Sequence, residues 1–296
     1  MRSNEISSLN PYPHQHIDIL DTEVAYMETG SGDPIVFLHG NPTTSYLWRN
    51  VIPHLESLGR CLAPDLIGAG ESGNMPSGSY RFSDHIKYMD EWFEKLKITK
   101  NVILVVHDWG AAIGFNRAYR FPEQVKGIVY MEAMVRPRYW SDMPEMRVEI
   151  FKKLRSPEGD EMVMNTNYFV EKMLFELGVV RELSDDEKEA YRKPTEDHEK
   201  RMMTLQWARE IPFEGEPEDN HRLVKAYSDF LCESRNLPKL FINCEQGHAL
   251  AGDAREFCRK WPNQTEISFP GRHYVQEDFP HEIGKAIADF SEKIWT

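Results

Sequence analysis

The stretch Val102-Ile103-Leu104-Val105-Val106-His107-Asp108-Trp109-Gly110 sets an acid where chemistry could happen. Four β-branched residues and a leucine form a continuous apolar run, the pattern of a strand buried on both faces. A helical pattern (Ala111, Ala112, Ile113, Phe115, Ala118, Tyr119) begins directly after Gly110. A strand that turns sharply into a helix over small residues exposes the residue at its apex and aims helix N–H groups beside it. Asp108 occupies that apex. Its carboxylate either attacks an electrophile and bonds to it, or merely caps the helix, as Asp often does. Other candidates stand where strands are predicted to end: Asn41 in His39-Gly40-Asn41-Pro42, Glu132 in Met131-Glu132-Ala133, and His273 in Gly271-Arg272-His273-Tyr274. Ligands collect at the carboxyl ends of parallel strands. Nucleophile, acid, then histidine is the chain order of one class of hydrolytic triad, which weighs against the capping reading. Glu245 and Asp253 compete with Glu132 for the acid's place.

The elements that must hold these residues are legible in outline. His16–Leu20 and Glu23–Met27 alternate about Asp21-Thr22 and predict a hairpin. Pro34–Leu38, Cys61–Ile67, Val102–Val106, Val125–Ala133, Leu237–Cys244 and Gln264–Phe269 predict further strands. Helices are expected from a Ser45 cap through Leu55, from about Ser83 to Leu96, after Asp108, and from His281 to Trp295. Strand and helix alternating at this spacing predict an α/β fold with a mostly parallel, doubly wound sheet. From about Arg136 to Pro212 the chain turns rich in Met, Phe, Trp and charge at helical spacing. We expect residues 136–212 to form a helical cap inserted between core segments 1–135 and 213–296. Gly68-Ala69-Gly70-Glu71-Ser72-Gly73 spells G-x-G-x-x-G, but Asn74-Met75-Pro76 follows, so a loop is expected there rather than a dinucleotide site.

Composition bounds the function. The 296 residues carry a formal net charge of −13, which argues against nucleic-acid or anionic-membrane partners. No apolar run approaches the ~18 residues of a spanning helix, and the first residues lack a signal-peptide core, so a cytoplasmic protein is expected. Cys61, Cys232, Cys244 and Cys258 show no metal-binding spacing and are expected as reduced thiols. Asn263-Gln264-Thr265 fits a glycosylation acceptor by letter but is discounted without a secretion signal.

His39-Gly40-Asn41-Pro42, His107-Asp108-Trp109-Gly110, Met131-Glu132-Ala133 and Gly271-Arg272-His273-Tyr274-Val275-Gln276-Glu277-Asp278 together resemble the haloalkane dehalogenases. The resemblance is to the subfamily whose acid is a Glu just after the sixth strand. It spans roughly residues 12 to 296 and includes Arg209-Glu210-Ile211-Pro212 and Trp261-Pro262-Asn263-Gln264-Thr265. It implies the α/β-hydrolase fold, with Asp108 as nucleophile, Glu132 as orienting acid, His273 as base, and Trp109 and Asn41 as halide donors. It favours Glu132 over Glu245, because Met131-Glu132-Ala133 matches the subfamily. Phe169 and Trp207 are the pocket members it suggests. Ala208 and Met202-Met203 depart from the family's cap pattern and put substrate range in question. The implied partners are a halogenated small molecule and a halide ion, with no metal, no organic cofactor, and a monomer or weak homo-oligomer.

The residue types suit that chemistry. A serine attacking saturated carbon would leave an ether that water cleaves poorly, whereas a carboxylate leaves an ester. A departing halide in an apolar cavity needs fixed N–H donors, which an indole and a side-chain amide supply. Coelenterazine-oxidising luciferases share the same motifs, so a cofactor-free monooxygenase is the competing expectation. An epoxide hydrolase would call on cap tyrosines such as Tyr139, Tyr168 or Tyr191. A non-catalytic receptor would have no use for an intact Asp108, Glu132 and His273 set.

Overall fold

Residues 5–295 are described by a computed structural model. Eight strands form one sheet: β1 (His14–Ile19), β2 (Thr22–Thr29), β3 (Pro34–Leu38), β4 (Arg60–Pro64), β5 (Val102–His107), β6 (Val125–Met131), β7 (Lys239–Cys244) and β8 (Gln264–Phe269). Their order across the sheet is β1-β2-β4-β3-β5-β6-β7-β8. The β1–β2 and β2–β4 pairs are antiparallel, and the remaining pairs are parallel. The first two strands therefore form an antiparallel edge on a parallel sheet.

The helices are α1 (Phe82–Lys95), α2 (Asp108–Arg120), α3 (Glu145–Leu154), α4 (Pro157–Thr166), α5 (Asp185–Arg192), α6 (His198–Glu210), α7 (Glu218–Glu233), α8 (Gly252–Arg259), α9 (Val275–Asp278) and α10 (Pro280–Trp295). The period of two along the strands builds two cores. Val36, Leu38, Leu104 and Val106 pack with Trp92 of α1, Phe115 of α2 and Tyr227 of α7. Ile35, Phe37, Ile103 and Val105 pack with Ile283, Ile287 and Phe290 of α10. Leu154, Val163, Phe169, Leu205 and Ala208 form a separate apolar cluster within segment 136–212. Among the described residues that segment is helical, with a π-helical stretch at Phe169–Glu176, and adds no strand to the sheet.

One buried ion cluster ties this segment to the sheet. Arg49, between β3 and β4, donates to Glu277 Oε1 at 2.6 Å and to Glu187 Oε1, on α5, at 2.8 Å. Arg181 reaches the same two carboxylates at 2.5 and 2.7 Å, and Tyr191 donates its hydroxyl to Glu277.

Two local expectations need correction. The helix predicted from Ser45 to Leu55 is two 3₁₀ turns, Ser45–Trp48 and Ile52–His54. Pro53 has no N–H and its ring clashes with the carbonyl four residues back, so an α-helix cannot run through it. Thr44, not Ser45, caps the first turn, accepting from Tyr46 N at 3.2 Å. The strand predicted over Cys61–Ile67 stops at Pro64. The Gly68–Gly73 stretch is a loop closed by Gly68 N–H donating to Gly73 O at 3.0 Å. No helix among the described residues is long and apolar enough to cross a membrane.

Candidate active site

β5 ends at His107, and α2 begins at Asp108 with φ +51°, in the left-handed region that non-glycine residues rarely adopt. The turn is possible because its neighbours are glycines. A Cβ on Gly110 would lie 2.3 Å from Leu38 O, and one on Gly40 would lie 2.3 Å from Asp108 Oδ1. The end of β3 can thus pass directly against the turn. Such backbone strain costs about 1–3 kcal/mol and persists only where the surroundings hold it. Here Asn41 N–H donates to Asp108 Oδ1 at 2.7 Å.

Glu132, just beyond β6, also has positive φ, +45°. Its side chain is buried and saturated. Oε2 accepts from His248 N at 2.5 Å and Ala249 N at 2.8 Å, and Oε1 accepts from Leu250 N at 3.2 Å. Oε2 also takes His273 Nδ1–H at 2.9 Å. Burial pushes the Glu132 carboxyl up, but the His273 and main-chain donors outweigh it and hold the group at about 2. With Nδ1 donating to Glu132, the proton-free nitrogen of a neutral His273 is Nε2. That nitrogen lies 3.7 Å from Asp108 Oδ2, too far for a hydrogen bond. Burial raises the Asp108 carboxyl above its ordinary range, opposed first by His273 and then by the Asn41 and Trp109 N–H groups. Its side chain is 23% exposed, but that surface opens onto a mostly apolar cavity.

The cavity holds about 230 Å³. Asn41, Asp108, Trp109, Glu132 and His273 all contribute to its wall, with Phe169, Ala208, Phe151, Leu177, Ile211 and Phe213. The Asn41 side chain donates to Thr204 O at 2.9 Å, which uses one of its two N–H groups. Tyr274 fixes the same residue from behind by donating its hydroxyl to Asn41 O at 2.9 Å. Trp207, expected in the wall, is not there. It is buried behind Trp109, ring centroids 4.5 Å apart, with its indole N–H directed at Met203. The rival acids are exposed: Glu245 and Asp253 both face solvent, and the loop between them supplies its main chain to Glu132.

Residues 33–156 match the α/β hydrolase fold family. The chain is 48% identical over 282 residues to a haloalkane dehalogenase of Sphingobium indicum, covering 94% of this chain and 95% of that protein. The chain belongs to the haloalkane dehalogenase family. A crystal structure of a haloalkane dehalogenase from Bradyrhizobium elkani has a TM-score of 0.90 at 39% identity, covering 95% of this chain and 98% of that one. The coelenterazine h 2-monooxygenase of Renilla reniformis is 40% identical, over 95% of this chain and 91% of that protein.

Among the polar lining residues, sequence reasoning assigned no site role to Arg138, Arg147, His248 or Tyr274. Burial and the neighbouring Arg147 hold His248 down at about 4, so it is neutral at pH 7. Tyr274 was in view only as part of the histidine motif. Nothing in the sequence spacing of Arg138 and Arg147 distinguishes them from the solvated charges around them.

Proposed function

We propose that this chain hydrolyses the carbon–halogen bond of haloalkanes through an alkyl ester on Asp108. The observation that carries this reading is the aligned set of Asp108, His273 and Glu132 at the wall of an apolar cavity, with separations of 3.7 and 2.9 Å. Asp108 Oδ2 attacks the halogen-bearing carbon. The C–O bond forms as the carbon–halogen bond breaks, and its electron pair leaves with the halide. The Trp109 indole N–H and the second Asn41 side-chain N–H receive that halide, donors fixed before charge develops. His273 Nε2 then takes a proton from water, whose oxygen attacks the ester carbonyl carbon. Oδ1 becomes the oxyanion, with the Asn41 main-chain N–H already 2.7 Å away. Collapse releases the alcohol and restores Asp108, and Glu132 stabilises the charged imidazole meanwhile. These steps call for neither metal nor organic cofactor.

Residues 136–212 act as a cap over a core of 1–135 and 213–296, keeping bulk water from the ester. The protein works in the cytoplasm on small halogenated molecules, as a monomer or weak homo-oligomer.

His273→Phe separates the two steps. With excess 1-bromohexane it should release about one bromide per site and stop, the burst of an accumulating covalent intermediate. Intact mass should show the added hexyl group, and peptide mapping should place it on Asp108. Asp108→Ala should give neither. A wild type that releases bromide while His273→Phe shows neither burst nor adduct would mean direct attack by water. Light from coelenterazine without halide release would favour the activity named for the Renilla relative instead.

A further inference from the structure

Arg138 and Arg147 sit in the wall of the mostly apolar cavity, with no carboxylate within ion-pair distance of either among the described residues. Arg138 donates to Ala249 O at 2.7 Å, and Arg147 reaches His248 O at 3.5 Å. These are consecutive carbonyls, whose residues are ~3.8 Å apart along the chain, so the two guanidiniums converge on one side of the cavity. Neither forms an ion pair among the described residues. The neighbouring Arg136 takes Asp142, at 2.9 Å. Glu132 attracts both through space, and Asp142 attracts Arg138, but the Glu132 oxygens are engaged by His273 and three main-chain N–H groups. Burial pulls both guanidiniums below their ordinary range, and an arginine remains charged regardless. Two like charges, partly desolvated and unpaired, are relieved by an anion between them. Met134, Met143, Met146, Ile150 and Met173 give the wall only hydrocarbon and thioether, and its other charged side chains belong to the set of Asp108, Glu132 and His273. Asp108 would repel a carboxylate placed beside it.

We infer that the substrate of this site carries a carboxylate at the far end of an alkyl chain from its halogen, bound by Arg147 and Arg138. This rests on the dehalogenase reading and narrows its substrate class. The reaction converts an ω-bromoalkanoate and water into an ω-hydroxyalkanoate, bromide and a proton, with the carboxylate unchanged. Arg147 is the principal contact, since its only protein acceptor among the described residues is at the limit of hydrogen-bonding distance. Arg138 is tethered more tightly and completes the electrostatic site.

The test compares matched substrates: 1-bromohexane against 4-bromobutanoate, 6-bromohexanoate and 8-bromooctanoate, by bromide release. The wild type should show higher kcat/KM for at least one acid than for 1-bromohexane. The ratio of the two should fall tenfold or more in Arg147→Gln, through KM rather than kcat, and recover in Arg147→Lys. Arg147→Glu should turn the preference toward (6-bromohexyl)trimethylammonium. A purely structural role for Arg147 would change acid and neutral substrates alike and leave the ratio unmoved. Should the variants fail to fold, hexanoate should still inhibit the wild type competitively and more strongly than 1-hexanol. Turnover of 1-bromohexane with rejection of all three acids, or a ratio insensitive to Arg147, would overturn this inference alone. No bromide from any of the four would overturn the dehalogenase reading, and this inference with it.

Discussion

Glu132 and Glu245 differ in what surrounds the carboxylate, not in distance from a strand end. Glu132 is buried and receives His273 Nδ1–H, whereas Glu245 is exposed. Glu132→Gln should therefore lower kcat by several orders of magnitude, the scale seen when a triad acid becomes an amide. Glu245→Gln should stay within a few-fold, and the reverse ranking in steady-state assays would move the acid. Trp109→Leu removes one preorganised donor and should cost on the order of a hundredfold in kcat. Bromide should quench wild-type tryptophan fluorescence more than that of Trp109→Leu, and equal quenching would locate the halide elsewhere. In the proposed mechanism Asp108 must be ionised to attack, and burial raises its carboxyl. The bromide burst of His273→Phe should thus fade on acidification at a midpoint above the usual 3.8 of an aspartate.

The elements that hold these groups were legible to different depths. The elbow was readable because an all-apolar strand has few alternatives and the small residues after it demand a turn. The break in the Ser45–Leu55 helix was also written in the chain, at Pro53, whose missing N–H outweighs the apolar periodicity around it. Other features were not readable. Which face of α6 meets the cavity depends on helix rotation, so Ala208 lines it while the adjacent Trp207 packs behind Trp109. The pairing of Arg49 with Glu187 and Glu277 joins residues 138 and 228 positions apart, a separation no local pattern encodes. That cluster makes its own prediction. Burial pushes Glu187 up, but Arg181 and the other donors bring it down to about 2 from an ordinary 4.5. Its folded value is the lower one, so its stabilisation is complete above pH 4.5 and is lost as pH falls toward 2. Glu187→Gln should cost about 3 kcal/mol at neutral pH in chemical denaturation. The gap between variant and wild type should narrow between pH 5 and pH 2; a constant gap would show that Glu187 does not couple folding to protonation.

For the molecule entire, acidity governs association more than folding. The net charge of −13 keeps copies apart at pH 7 and vanishes near the isoelectric point of 5.4. Light scattering should show a solubility minimum near that pH and none at pH 7. A wider consequence follows from the loop after β7. In two successive peptide units there, the carbonyl of residue 248 or 249 faces an arginine, while the N–H of residue 249 or 250 faces Glu132. This loop thus supports the acid through its amide skeleton, and the side chains of His248 and Ala249 line the cavity free of that duty. Chemistry and selectivity are written on separate parts of the same residues, so drift at 248 and 249 can explore new substrates without endangering turnover. A library randomised at both sites should keep most members active yet scatter their substrate preferences. Proline at 248 or at 249 should stand apart as inactive, because each erases an N–H that Glu132 accepts from.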